Sequence, residues 1–181
     1  VADGLKSRGY RVFATARKAD DVEMLEKQGH EALQLDLDDS DSIRRAVDEI
    51  LKRSDHQLYA LFNNGAYGQP GAVEDLSRDV LRRQFETNVL GWHELTNLAL
   101  SVMRKQGYGR IIYNSSVLGI VSMAYRGAYN CSKYALEGLV DTLRLELKNT
   151  GIFVSLIENT ASELASRMSQ AVMRSMPAPR Q

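Results

Sequence analysis

Tyr129 and Lys133 lie four residues apart in the stretch "AYNCSKYALE" (128–137). On a helix that spacing puts the phenol and the ammonium on one face, where both can meet a single cleft. A phenol titrates near 10 and is a poor acid or base at neutral pH until a cation stabilises its phenolate. The ammonium supplies that cation. A hydroxyl donor beside the reacting oxygen would then hold a substrate, and Ser116, at the end of the preceding strand, is suited to this, with Ser115 the near alternative. The spacing alone is weak evidence. Read blandly, Tyr129 caps the core, Lys133 sits on a solvated face and both serines belong to a turn.

These residues need elements to position them, and the apolar period switches repeatedly along the chain. Strands are expected at Tyr10–Arg17, Glu31–Leu37, Gln57–Asn64, Gly109–Ser116 and Ile152–Glu158. Between the second and third, Ile43, Val47, Ile50 and Leu51 share a helical face, with Ser40 or Asp41 as cap. A long helix is expected from about Ser77 to Arg104. Another runs from about Gly127 to Asn149, with an apolar stripe of Leu136, Leu139, Val140, Leu143 and Leu147. Strand and helix in alternation, with near-continuous apolar strands, predict an α/β fold with a mostly parallel sheet between two helical layers. Ligands in such folds sit beyond the carboxyl ends of the strands. Arg17, Asp36, Asn63 with Asn64, and Ser115 with Ser116 all follow strands there. Each alone is an ordinary turn residue; their shared edge gives the group its weight.

"NSSVLG" followed by "YNCSK" resembles the serine and Tyr-x-x-x-Lys motifs of the classical short-chain dehydrogenase/reductases, and "TNVLG" (87–91) resembles their active-site asparagine segment. The resemblance covers nearly all of the chain up to about Glu158. It implies a Rossmann-like three-layer sandwich and an oxidoreductase that moves a hydride between a nicotinamide cofactor and a carbonyl or secondary alcohol. It further implies that Tyr129 is the general acid/base, that Lys133 lowers its pKa and holds the nicotinamide ribose, that Ser116 positions the substrate oxygen, and that Asn88 supports a proton-relay water. Asp36 and Leu37 resemble the residues that meet the adenine. Asn63, Asn64, Gly65 and Ala66 resemble the Asn-Asn-Ala-Gly segment with its last two residues exchanged. After the strand that carries it, Arg17 suits the extra phosphate of NADP, where an acidic residue would suit NAD. The long helices containing Asn88 and Tyr129 resemble those through which members form homodimers and homotetramers.

The chain departs from the family at both ends. Its opening, "VADGLKSRGY", resembles the end of the helix that follows the family's first strand and glycine-rich turn, so neither is present in the sequence. That strand is central in the family's sheet. Without it, the second and third strands are expected to separate from the others and leave open edges. Asn159 and Thr160 stand where Pro-Gly is usual, although Thr160 can still be set against the nicotinamide amide. The expected organisation is a partial Rossmann-like catalytic domain over 1–158 and a divergent C-terminal segment over 159–181, with one amphipathic helix through Leu164, Met168 and Val172 and a loose tail. The alternative reading is a non-catalytic scaffold or an incomplete dehydrogenase-like fragment unable to bind the dinucleotide.

Composition excludes other classes. The 181 residues carry 23 basic and 23 acidic side chains, with no basic block to track nucleic acid. Cys131 is alone, so no internal disulfide forms, which favours a reducing compartment. No apolar run approaches the roughly 18 residues of a membrane span, and the expected location is cytoplasmic. His30, His56 and His93 lack metal-ligand spacing, and no metal is expected. Gly65, Gly68 and Gly71 lack the Lys-Ser/Thr of a P-loop.

Overall fold

The computed structural model describes residues 1–159; Thr160, the expected helix through Leu164, Met168 and Val172, and the tail lie outside the described residues. The chain is an α/β fold of parallel strands and helices. A short helix α1 (Ala2–Lys6) leads to β1 (Phe13–Ala16), α2 (Ala19–Lys27), β2 (Glu31–Gln34), α3 (Ser40–Arg53) and β3 (Ala60–Asn63). Then come α4 (Arg78–Phe85), a π-helical turn (Glu86–Leu90), α5 (Gly91–Gln106), β4 (Gly109–Asn114), α6 (Gly127–Glu146) and β5 (Ile152–Ile157).

All strand pairs are parallel, but they form two sheets: β1 with β2, and β3, β4 and β5 in that order. This is the division expected of a family sheet without its central strand. β1 and β3 are incompletely buried, unlike strands enclosed in an all-parallel sheet. The strands are also shorter than the apolar runs suggest. Tyr10 donates its N–H to Leu5 (3.2 Å) and Gln57 donates to Ser54 (3.0 Å), so both close the helical turn before them instead of entering a ladder.

α5 and α6 build the larger core on the three-stranded sheet, through Trp92, Met103, Ile111, Tyr113, Leu136 and Val140. Burying a side chain such as Ile111 or Leu136 stabilises by about 1.5–3 kcal/mol. Leu136, Val140 and Leu147 of the expected α6 stripe are buried, and Leu139 and Leu143 half-buried. A smaller core of Leu35, Ile43 and Ala46 lies under α3. Leu37 packs on both cores. Gly91 lets the chains meet there: a Cβ on it would lie 2.2 Å from the Leu37 carbonyl oxygen. Ser40 and Arg44 of α3 reach Glu94 of α5 at 2.6 and 3.2 Å. Ser40 is thereby drawn away from capping, and the N-cap of α3 is Asp39, which accepts from the Asp41 N–H at 2.9 Å. His30 is buried and bonds Asp3 of α1 at 2.9 Å.

Candidate active site

β4 runs through the centre of the three-stranded sheet and delivers Asn114, Ser115 and Ser116 to its carboxyl edge, where α6 begins eleven residues later. The helical spacing holds: Tyr129 and Lys133 are consecutive-turn neighbours on α6, with the Lys133 Nζ 5.6 Å from the Tyr129 ring centroid. Ser116 is 2 % exposed, and its hydroxyl is near enough to the Tyr129 phenol to act on its titration. The same oxygen accepts from the Leu118 N–H (3.2 Å), which orients it in the turn. Ser115, the near alternative, donates its hydroxyl to Glu137 on α6.

Burial pushes the Tyr129 phenol above its ordinary value; the Ser116 hydroxyl and the Arg126 charge oppose that. Lys133 is 1 % exposed, donates to the Asn114 carbonyl at 2.9 Å and lies 4.5 Å from the Trp92 ring centroid. Its ammonium is pushed down to about 8 by burial, with Glu137 acting the other way. An ammonium so costly to bury is characteristic of sites where chemistry needs it.

Asn88 sits in the π-helical turn between α4 and α5, a distortion common at functional sites. The turn aims its buried amide at the loop after β3. Its Oδ1 accepts from the Tyr67 N–H (3.1 Å), and its Nδ2 donates to the Tyr67 carbonyl (2.8 Å) and the Ser132 hydroxyl (3.2 Å). That loop covers Tyr129: a Cβ at Gly68 would lie 3.1 Å from the phenol ring. Trp92 holds the start of the loop by donating to the Gly65 carbonyl at 2.7 Å.

Of the residues assigned to a cofactor, Arg17 and Gly65 are exposed, and Asp36 and Leu37 half-buried. Asp36 accepts from the Asp38 N–H at 3.1 Å, which shapes the turn after β2. A Cβ at Gly65 would lie 3.2 Å from the Leu37 side chain, so the segments that follow β2 and β3 meet at one edge. Asn63 turns inward: its amide donates to Thr96 (3.1 Å), and its buried Oδ1 has no partner. Only its backbone faces the edge.

The two ends of this edge suit a nicotinamide dinucleotide. At one end, Lys133 spends one N–H on Asn114 and keeps others for hydroxyls; at the other, Arg17 has no acidic partner among the described residues. None of the described residues forms a glycine-rich strand-to-helix turn for the pyrophosphate between them. Three functional groups had no local sequence signal beyond their place. Asn114 is a polar residue ending an apolar strand, and its amide bonds Asn64 and Asn159 at 2.6 Å each. Glu137 repeats the four-residue spacing beyond Lys133. Trp92 is the chain's single tryptophan.

The family model for short chain dehydrogenases matches residues 1–176. The uncharacterized oxidoreductase YbbO of Escherichia coli K12 is 46 % identical over 154 residues, covering 85 % of this chain and 57 % of that protein. A short-chain dehydrogenase from Streptomyces avermitilis superposes with a TM-score of 0.81 at 32 % identity, over 87 % of this chain and 58 % of the other. An actinorhodin polyketide ketoreductase variant crystallised with NADPH gives a TM-score of 0.86 at 26 % identity, over 98 % and 72 %. The chain thus spans little more than half the length of the curated relatives it matches. Within that span the serine, the tyrosine and the lysine meet at the strand edge where such folds bind ligands, and the chain belongs to the short-chain dehydrogenase/reductase family of oxidoreductases.

Proposed function

We propose that this chain carries the catalytic centre of an NADP(H)-dependent oxidoreductase acting on a small-molecule carbonyl or secondary alcohol. The observation that carries the reading is the buried Lys133 ammonium 5.6 Å from the Tyr129 ring centroid, with the buried Ser116 hydroxyl beside the phenol. Bound NADP(H) would supply or take up the hydride. Ser116 holds the substrate oxygen beside the phenol. In reduction Tyr129 gives its proton to that oxygen, and in oxidation it takes the proton back.

Proton transfer at Tyr129 calls for a lower pKa than burial gives it. Burial now holds Tyr129 protonated, and the groups opposing it are Ser116 and Arg126. A ribose hydroxyl between Lys133 and Tyr129 would couple the ammonium to the phenol and lower its pKa. Asn88 supports a relay water by fixing the loop that roofs Tyr129. Arg17 would take the 2′-phosphate, which favours NADP over NAD; Asp36 and Leu37 flank the adenine, and the backbone at Asn63 and Gly65 the adjacent ribose.

Homodimers or homotetramers through the Asn88 and Tyr129 helices are part of the proposal. Leu90 and Tyr134 are 49 % and 44 % exposed, and Leu145 is 76 % exposed, on those segments. A cytoplasmic location is proposed with them; no described helix is long and apolar enough to cross a membrane. The division into two sheets favours a second reading, a dehydrogenase-like chain that does not hold the dinucleotide. Calorimetric titration with NADPH and NADH separates the two: NADPH binding in preference to NADH is expected. Binding of neither would overturn the enzyme reading for this chain, and preference for NADH would overturn the role of Arg17.

A further inference from the structure

The turn that carries Ser116 is tied to α6 at a point the reaction itself does not require. Ser115 is 3 % exposed and donates its hydroxyl to Glu137, eight residues along α6 from Tyr129 and four from Lys133. The fit around this carboxylate is close. A Cβ at Gly119 would lie 2.9 Å from the Glu137 Oε1 and 3.2 Å from the Lys133 carbonyl oxygen. The strand end, the following turn and two turns of the catalytic helix are therefore clamped together at Glu137.

Glu137 also borders a cavity of about 430 Å³ on its outer side, lined in part by Tyr134, Asp141, Arg144 and Glu158. Arg144 is engaged by Asp141 at 2.6 Å, so the charge of Glu137 is not cancelled by it. Toward the interior, Lys133 is met by the Asn114 carbonyl from β4, the Trp92 ring from α5, and the Tyr129 ring and Glu137 from α6 itself. Glu137 is the one charge in that set.

We propose that Glu137 is a positioning residue of this site: through Ser115 it fixes the place of Ser116 beside Tyr129. The inference rests on the reading of Ser116, Tyr129 and Lys133 given above. The charge of Glu137 acts in the same service, opposing the downward push of burial on the Lys133 ammonium. A neutral amine could not stabilise a phenolate. The neighbouring serine and the carboxylate thus hold the catalytic serine in place from outside the cleft.

Glu137→Gln keeps an acceptor for Ser115 and removes the charge; Glu137→Ala removes both. The test is steady-state turnover of the full chain beside its affinity for NADPH. Ser115→Ala and Glu137→Ala should each lower kcat about tenfold with NADPH affinity unchanged, Glu137→Gln should recover most of that loss, and the double variant should lose no more than either single variant. Full multiplication of the two losses, or Glu137→Gln as impaired as Glu137→Ala, would overturn the inference. Failure of the site reading shows elsewhere, as full turnover in Tyr129→Phe.

Discussion

Replacing Lys133 by Met should make the protein more stable while removing its activity. The ammonium is 1 % exposed and falls from 10.5 to about 8 in the fold. At roughly 1.4 kcal/mol per pKa unit this is a cost of about 3 kcal/mol for keeping the charge buried. Met fills a similar volume without that cost, but it leaves the Asn114 carbonyl unpaired and loses the contact with Trp92, together about 1–2 kcal/mol. The net expectation at pH 7 is a gain of about 1–2 kcal/mol. The sign with pH follows from the direction of the shift. The unfolded chain holds the Lys133 proton more tightly, so the cost is full below about pH 8 and fades as pH rises toward 10.5. Urea unfolding of both proteins at stepped pH therefore should show the advantage of Lys133→Met shrinking across that window. A variant less stable than wild type at pH 7, or an advantage independent of pH, would refute the reasoning and make Lys133 a structural residue.

Other perturbations test the frame. Asn88→Ala strands the N–H and the carbonyl of Tyr67, which should cost about 2–4 kcal/mol and speed amide exchange at Tyr67; native exchange there would remove Asn88 from the loop's support. Gly91→Ala drives a methyl to within 2.2 Å of the Leu37 carbonyl oxygen, so α5 must shift and stability should fall by about 2 kcal/mol or more. By contrast Gly138→Ala, inside α6 with nothing within 4 Å of the added Cβ, should raise stability by about 0.5–1 kcal/mol. Denaturant midpoints of these two variants moving in the same direction would contradict the packing described.

The parts of the fold set by local pattern were legible in the sequence. The stripe on α6 and the alternation of strands and helices follow from apolar period, and the split of the sheet followed from the expected place of a missing strand. What depended on distant partners was not. α2 has no buried residue and no side-chain cap to mark where Ala19–Lys27 begins. "ETNVL" reads as unbroken helix, and only the amide of Asn88, satisfied at Tyr67 across 21 residues, accompanies the π turn. The capping role passed to Asp39 because Ser40 is bonded to Glu94, 54 residues away. At the site, Tyr129 and Lys133 were readable from spacing within one helix. Of their partners, Asn114 reaches Lys133 from β4 and Glu137 is held by Ser115 across 22 residues, neither of which spacing within α6 encodes.

The central claim is that Tyr129 transfers the proton, and its most direct test is steady-state turnover of Tyr129→Phe beside its affinity for NADPH. The phenol oxygen is removed while the ring that packs against Gly68 stays. The account predicts loss of most turnover, by about 10²-fold or more, with cofactor affinity nearly intact. Turnover equal to wild type with the oxygen gone would contradict it.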